Sequence, residues 1–416
     1  MPSFFAGRTS KITIALGALS LLTACASEGG STSGGAASQG VTGKTIKVAG
    51  LLTKTSPIGY SSAEAELGAK ARFDRANAEG GVHGRKIEFI GAGDATMDPA
   101  TGMTVVRRQV EKDRVFAIVP VSAPGFNGME YLEQRKVPWV GWVTSPAQCG
   151  LSTAFGFNGC LTPKPGTKLA PWWPDQVGAA IGGKDKTVWM QGTDTASSKV
   201  GTATIGTAFQ DAGFKVVGTS TSVPAGAPPQ DWLPFINKVK TSADGGWPDV
   251  VVSIMSGVKH NGGFYTALKK AGYKGAISDA TSYDPKVLAD PQSVAALEGV
   301  YAAPQLEPFE SGIAEVVKMK ADLQKAAGGK ELVFSQHMAT GYWSADVFLA
   351  MLEKTGKDLT RESFIKASQN FSYENPGFGR VSYPKNKTAS NGCGSLVRVQ
   401  GGKFVVAQHL RCSEVN

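Results

Sequence analysis

Thr45-Ile46-Lys47-Val48-Ala49-Gly50-Leu51-Leu52 is a short apolar run that closes on the loop residues Thr53 to Ser56. A run of this length and character is the pattern of a buried strand. Ser62 to Ala78 follows, rich in alanine and charge, with Leu67, Ala71 and Phe73 spaced for one face of a helix. Gly80-Gly81 ends that helix, as a left-handed terminus requires. Ile87 to Gly91 is the next strand. This β-α-β unit fixes the class of the fold, because parallel neighbours need a helical crossover.

The same rhythm runs outward. Asp98-Pro99 opens a helix to about Lys112, with Asp98 as its cap and Pro99 in its first turn. Val115 to Val119 reads as a strand, Phe126 to Arg135 as a helix, and Pro138 to Val143 as a fourth strand. Between Ser145 and Pro174 the alternation stops in a stretch rich in Pro, Gly and Thr. It restarts with strands at 187–190, 215–220, 250–255 and 275–278. Helices at 199–212, 232–241 and 263–271 lie between them. A connecting strand is expected at 298–303, helices at 313–327, 334–352 and 361–369, and a β tail turning at Gly401-Gly402. The class is α/β, with two Rossmann-like lobes of parallel sheet joined by a hinge. The first lobe takes residues 44–145 with about 304–355, the second 146–303 with about 356–416. Ligands of open α/β sheets sit beyond the carboxyl ends of the strands, so two facing lobes place a cleft there.

The amino-terminal segment points to export. Arg8 and Lys11 precede an apolar run, Ile12 to Leu22, which is too short to span a bilayer. Residues 1–24 therefore read as a signal peptide. Leu22-Thr23-Ala24-Cys25 resembles a lipobox, in which cleavage precedes the cysteine and the cysteine takes a lipid. Ala26 to Gly40 is almost entirely Ser, Gly, Ala and Thr, a composition that serves as a flexible tether, assigned to 25–43. The expected place is extracytoplasmic, held to a membrane by Cys25.

The 416 residues carry a formal charge of +9. Without Arg8 and Lys11, 41 basic and 34 acidic residues leave +7. These charges are dispersed, with no basic block and no aromatic-basic repeat, so no nucleic-acid partner is expected. Besides Cys25 the cysteines are Cys149, Cys160, Cys393 and Cys412. An even number in an exported chain suggests disulfides, and local pairs, Cys149 with Cys160 and Cys393 with Cys412, are the simplest of three connectivities. Zinc competes weakly, because no C-x-x-C occurs and His83, His260, His337 and His409 are scattered. There is no G-x-S-x-G, no H-E-x-x-H and no G-x-G-x-x-G; Gly178-x-x-x-x-Gly183-Lys184 continues with Asp185, where a phosphate loop needs Ser or Thr. No catalytic residue, metal or cofactor is expected.

Gly68-Ala69, then Asn77-Ala78-Glu79-Gly80-Gly81-Val82-His83-Gly84-Arg85-Lys86-Ile87-Glu88, resembles a signature of the type I periplasmic-binding-protein family. The similar branch is that of the leucine/isoleucine/valine-binding proteins of ABC importers. Asp94 with Asp98-Pro99, Val137-Pro138, Leu268 to Gly272 and Asn375-Pro376-Gly377-Phe378-Gly379 match in the same order. The resemblance spans Thr45 to about Tyr383. It implies capture of a small polar molecule, an amino acid, amide or small carboxylate, by a monomer that delivers it to an ABC permease. The alternatives are a ligand sensor for a signalling receptor and, less favoured, an extracytoplasmic enzyme. Carried over, the first-lobe contacts fall at Ala123 or Pro124 and at Val143, Thr144 and Ser145, where hydroxyls at a strand end suit a carboxylate. Simple strand-end capping is the plainer role for Thr144 and Ser145. A first-loop aromatic position falls at Ser61 beside Tyr60, and Trp142 and Tyr60 are the expected apolar walls. Second-lobe contacts fall at Ser197, Ser198, Ser256 and Thr281. Amino-acid binders commonly carry an acid at the position of Thr281. Asp279, two residues away on the same expected strand face, either replaces it or is an ordinary solvated acid.

Overall fold

A computed structural model describes residues 38–414 apart from 57–59, 125, 165 and 256–257. Cys25, its tether up to residue 37 and Ser256 lie outside the described residues. The first sheet is built from β1 (Thr45–Leu52), β2 (Lys86–Asp94), β3 (Ala117–Ser122), β4 (Trp139–Val143) and β5 (Ala154–Cys160), in the order β2-β1-β3-β4-β5 with every pair parallel. β3 is buried along its whole length, as a parallel strand covered on both faces must be. One face is covered by α2 (Pro99–Arg107) and α3 (Met129–Gln134), with Val106, Phe126 and Leu132 in that core layer. The other is covered by α1 (Ala65–Ala78), and by a long helix that arrives from much later in the chain.

The second sheet begins after α4 (Trp172–Ile181). It contains β6 (Thr187–Thr193), β7 (Lys215–Val223), β8 (Val250–Ser253), β9 (Ala276–Asp279) and the short β10 (Tyr301–Ala302), all parallel. Their crossovers are α5 (Ala196–Asp211), α6 (Leu233–Lys240), α7 (Val258–Lys270) and α8 (Pro291–Leu297). The chain then returns to the first sheet with α9 (Ala314–Ala326), α10 (Gln336–Thr355), α11 (Arg361–Ser368) and a small hairpin, β11 (Ser372–Asn375) with β12 (Gly379–Ser382). It finishes back on the second sheet. β13 (Cys393–Gln400) pairs antiparallel with β10, and β14 (Lys403–Cys412) pairs antiparallel with β13 across Gly401-Gly402.

Two placements differ from the sequence expectation. The expectation puts β5 within the second-lobe stretch 146–303, yet it extends the first sheet beside β4. Its glycines and Asn158 imitate a loop, while Phe155 and Phe157 are wholly buried. It also puts α11 and the small hairpin with the second lobe, but Phe364 of α11 packs edge-on to Phe116, just before β3, and to Phe155 of β5. Lys387 fixes the same edge. Its ammonium donates to the carbonyls of Leu151, Ser152 and Ala154 at 2.8, 3.0 and 2.8 Å and lies 3.7 Å above the Phe155 ring. Burial lowers its pKa to about 7. Sulfur atoms lie at bonding distance in two local pairs, Cys149 with Cys160 and Cys393 with Cys412.

The close approach of α1 and α10 sets the geometry at the strand ends. A Cβ on Gly68 would run into the Met338 carbonyl, and one on Gly341 into that of Ala65. Glycine at both points lets the backbones touch. An ion pair across the same seam, Arg72 with Asp346 at 2.6 Å, fixes its register, and Arg75 ties α1 to α9 through Asp322 at 2.8 Å. The amino-terminal turns of the two helices are thereby held side by side at the carboxyl ends of the first-sheet strands.

Candidate functional site

Strand β1 ends at Leu52, and the loop after it returns to α1 through Tyr60, Ser61 and Ser62. Asp94, the last residue of β2, accepts from the Lys54 and Thr55 amides and the Thr55 hydroxyl, so the loop is tied to the neighbouring strand. Ser62 donates to the Ser122 carbonyl at 2.6 Å. Tyr60 is thus carried over the ends of β1 and β3. Trp142, at the end of β4, points to the same face as α10. Between them stands His337, in the first turn of α10. The Tyr60 and His337 rings meet edge to face at 5.5 Å and 88°, those of Trp142 and His337 at 6.0 Å and 72°. The two expected walls are therefore brought to one imidazole that sequence reasoning missed, for a lone histidine some 200 residues away carries no local signal.

Four polar atoms here are buried without a hydrogen-bond partner among the described residues: Thr53 Oγ1, Tyr60 OH, Ser122 Oγ and His337 Nδ1. Ser122 and Ser62 lie near the phenol, but not at bonding geometry. Burial pushes the Tyr60 phenol up to about 12. Burial, with help from the nearby Lys286 ammonium, pulls His337 down to about 4. Both groups are neutral at pH 7. Such atoms are costly to leave unpaired, and in a native fold each calls for an explanation.

The remaining first-lobe positions are more ordinary. Ala123 is buried, and its carbonyl accepts from Phe126. Pro124 is half-buried beside it. Val143 is buried in register with Cys160. The amides of Thr144 and Ser145 both donate to the Gln148 side chain, at 3.0 and 3.2 Å, which caps the short turn after β4. Ser61 is exposed and bonds back to the Lys54 carbonyl at 2.9 Å.

The second lobe behaves differently. Ser198 Oγ accepts from the Thr193 amide at 2.8 Å, while Ser197 is exposed in the first turn of α5. Thr281 donates to the Met255 carbonyl at 3.0 Å and accepts from Asn261 at 2.9 Å. Asp279 is wholly buried and accepts four hydrogen bonds, from Tyr265 OH, the Thr281 and Ser282 amides and Ser282 Oγ, at 2.7–2.8 Å. Burial raises its pKa, against these bonds. It is not a solvated acid: β9 ends at Asp279, and its carboxylate turns back to cap the next turn. The second-lobe charge that does reach the first lobe is Lys286, which pairs with Glu64 at the start of α1; Ser335 donates to the same carboxylate. No group of three or more potential metal ligands occurs among the described residues.

The model of one family, described as periplasmic binding protein, matches residues 45–403. The chain belongs to the periplasmic binding protein family. The resemblance drawn from Gly68 to Glu88 and the two-lobed α/β expectation both hold. Solved structures agree on the fold. An ABC transporter substrate-binding protein from Sphaerobacter thermophilus superposes with a TM-score of 0.72 at 18% identity, over 90% of this chain and 99% of that one. A Rhodopseudomonas palustris solute-binding protein in complex with 4-hydroxybenzoate gives 0.69 at 20%, over 89% and 98%. The branched-chain amino acid transporter substrate-binding protein of Streptococcus pneumoniae, in complex with isoleucine, gives 0.65 at 17%, over 88% and 99%. No curated protein matches. Membership of this family implies an extracytoplasmic binding protein.

Proposed function

We propose that this protein captures one small solute at the carboxyl ends of its first-sheet strands, closes its second lobe over it and hands it to an ABC permease, without transforming it. The observation that carries this reading is the meeting of Tyr60 and Trp142 on His337, with unpartnered polar atoms buried around them. Thr144 and Ser145 hydroxyls supply further neutral contacts. The related structures hold 4-hydroxybenzoate in one case and isoleucine in another, so the fold accommodates either kind of guest. Cys25 anchors the protein by lipid, the paired cysteines are oxidised, and the protein acts as a monomer.

A thermal-shift screen of amino acids, amides, small carboxylates and simple aromatics tests the capture. A ligand at a hundred times its dissociation constant adds about 2.7 kcal/mol to stability. If no compound stabilises the protein, or if a stabilising compound is converted, the reading fails. Membrane fractionation of the wild type and Cys25→Ala tests the anchor. Non-reducing peptide mapping tests the cysteine pairing; a cross-link between the 149/160 and 393/412 pairs would refute it.

A further inference from the structure

The charges around the cleft are already spent. Lys286 and Glu64 neutralise each other across the lobes. Lys54 pairs with Glu66 at 2.6 Å. Asp94 holds the loop after β1, and Asp279 holds the turn after β9. What stays unpartnered is neutral: a phenol, two aliphatic hydroxyls and one imidazole nitrogen. They lie against an indole, a phenol ring and an imidazole that already meet edge to face.

We infer that the ligand of this site is a planar aromatic compound bearing hydroxyl, carbonyl or carboxylate groups and carrying no ammonium. This rests on the capture proposed above and names its substrate class. The aromatic frame favours a planar guest, since offset and edge-to-face ring pairs contribute beyond simple burial. A hydroxyl or carbonyl oxygen completes Tyr60 OH and Ser122 Oγ, and one such group also reaches His337 Nδ1, which accepts or donates according to its tautomer. The carboxylates described at this site, those of Glu64, Glu66, Asp94 and Asp279, are all engaged, so an ammonium finds no vacant one among them. To gain one it must break the Lys286–Glu64 pair or strip Asp279 of bonds, and burying it unpaired costs far more than any neutral contact returns. Substituting an amino-acid side chain for the ring does not remove this obstacle.

Calorimetry with a matched trio decides the matter: 3-(4-hydroxyphenyl)propionate, tyrosine, which adds only the ammonium, and 3-phenylpropionate, which lacks only the hydroxyl. The hydroxyphenyl acid is expected to bind at least tenfold tighter than tyrosine. Tyr60→Phe is expected to weaken the hydroxyphenyl acid several-fold while moving 3-phenylpropionate little. His337→Phe, which keeps an aromatic ring but no nitrogen, is expected to act in the same direction. Tyrosine binding as tightly as its ammonium-free partner overturns the inference. So does failure of all three compounds while an aliphatic solute stabilises the protein in the screen, an outcome that leaves the capture itself standing. If Tyr60→Phe weakens the three compounds equally, the phenol is a wall and the polar assignment falls.

Discussion

The strand ends of the two lobes are built alike and finished differently. In the second lobe, Ser198, Thr281 and Asp279 have their polar atoms consumed by neighbouring amides, carbonyls and hydroxyls. In the first, Tyr60, Ser122, Thr53 and His337 hold polar atoms out of water and unmatched. Equivalent topological positions therefore carry opposite costs. The second lobe is a finished surface at these positions. The first bears a local cost in stability, which the proposed guest would relieve.

The comparison breaks first at Asp279. Asp279→Ala removes the acceptor for Tyr265 OH and for the Thr281 and Ser282 amides. Each orphaned buried donor costs about 1–3 kcal/mol, so chemical denaturation should show a loss of at least ~3 kcal/mol. Ligand affinity, measured where the variant is folded, should change alike for cationic and uncharged solutes. A selective effect on ammonium ligands would return Asp279 to the cleft.

His337 gives the next largest effect, through pH. Its folded pKa near 4 lies below the value of 6.5 expected when unfolded. The unfolded chain therefore takes up a proton first. Stability from this group is intact above pH 6.5 and is lost as pH falls from 6.5 toward 4, by at most ~3 kcal/mol. Denaturation midpoints of wild type and His337→Gln should converge over that window. Parallel curves would mean that the ring is solvated.

Thr144→Val and Ser145→Ala sharpen the first-lobe side. A neutral hydrogen bond contributes about 0.5–1.5 kcal/mol and one to a charge about 1.5–3, so each should weaken binding between a few-fold and roughly a hundredfold with little change in unfolding. Wild-type affinity in both removes the β4 end from the site. The smallest effect, and the most telling in sign, belongs to Tyr60→Phe. Deleting an unpartnered hydroxyl should leave ligand-free stability unchanged or raise it by about 1 kcal/mol, while affinity for a hydrogen-bonding ligand falls. A clear loss of ligand-free stability would show that the phenol is already satisfied.

The sequence carried the repetitive part of this architecture well. Runs such as Thr45–Leu52 and the double glycine after α1 are local signals, and the structure has elements there. β5 escaped because Gly156, Asn158 and Gly159 outweighed the alternation of Phe155 and Phe157. α4 escaped because Pro171 and Pro174 stand at its start, although proline is well tolerated in a first helical turn. At the site, Tyr60 and Trp142 could be read from their places after β1 and in β4. His337, Glu64 and Lys286 could not, because only the crossing of α1 and α10 and the facing of the lobes assemble them. The two-residue period placed Asp279 on a strand face, but it could not show that the carboxylate is buried and bonded to the turn that follows.

Lys387 has a consequence for how the protein is made. The edge of the first sheet is secured by an ammonium that emerges very late in synthesis, and the second sheet waits still longer for β13 and β14. Neither lobe can be completed by the amino-terminal half of the chain. Under the export proposed above, the carboxyl-terminal segment would have to arrive before either lobe is complete.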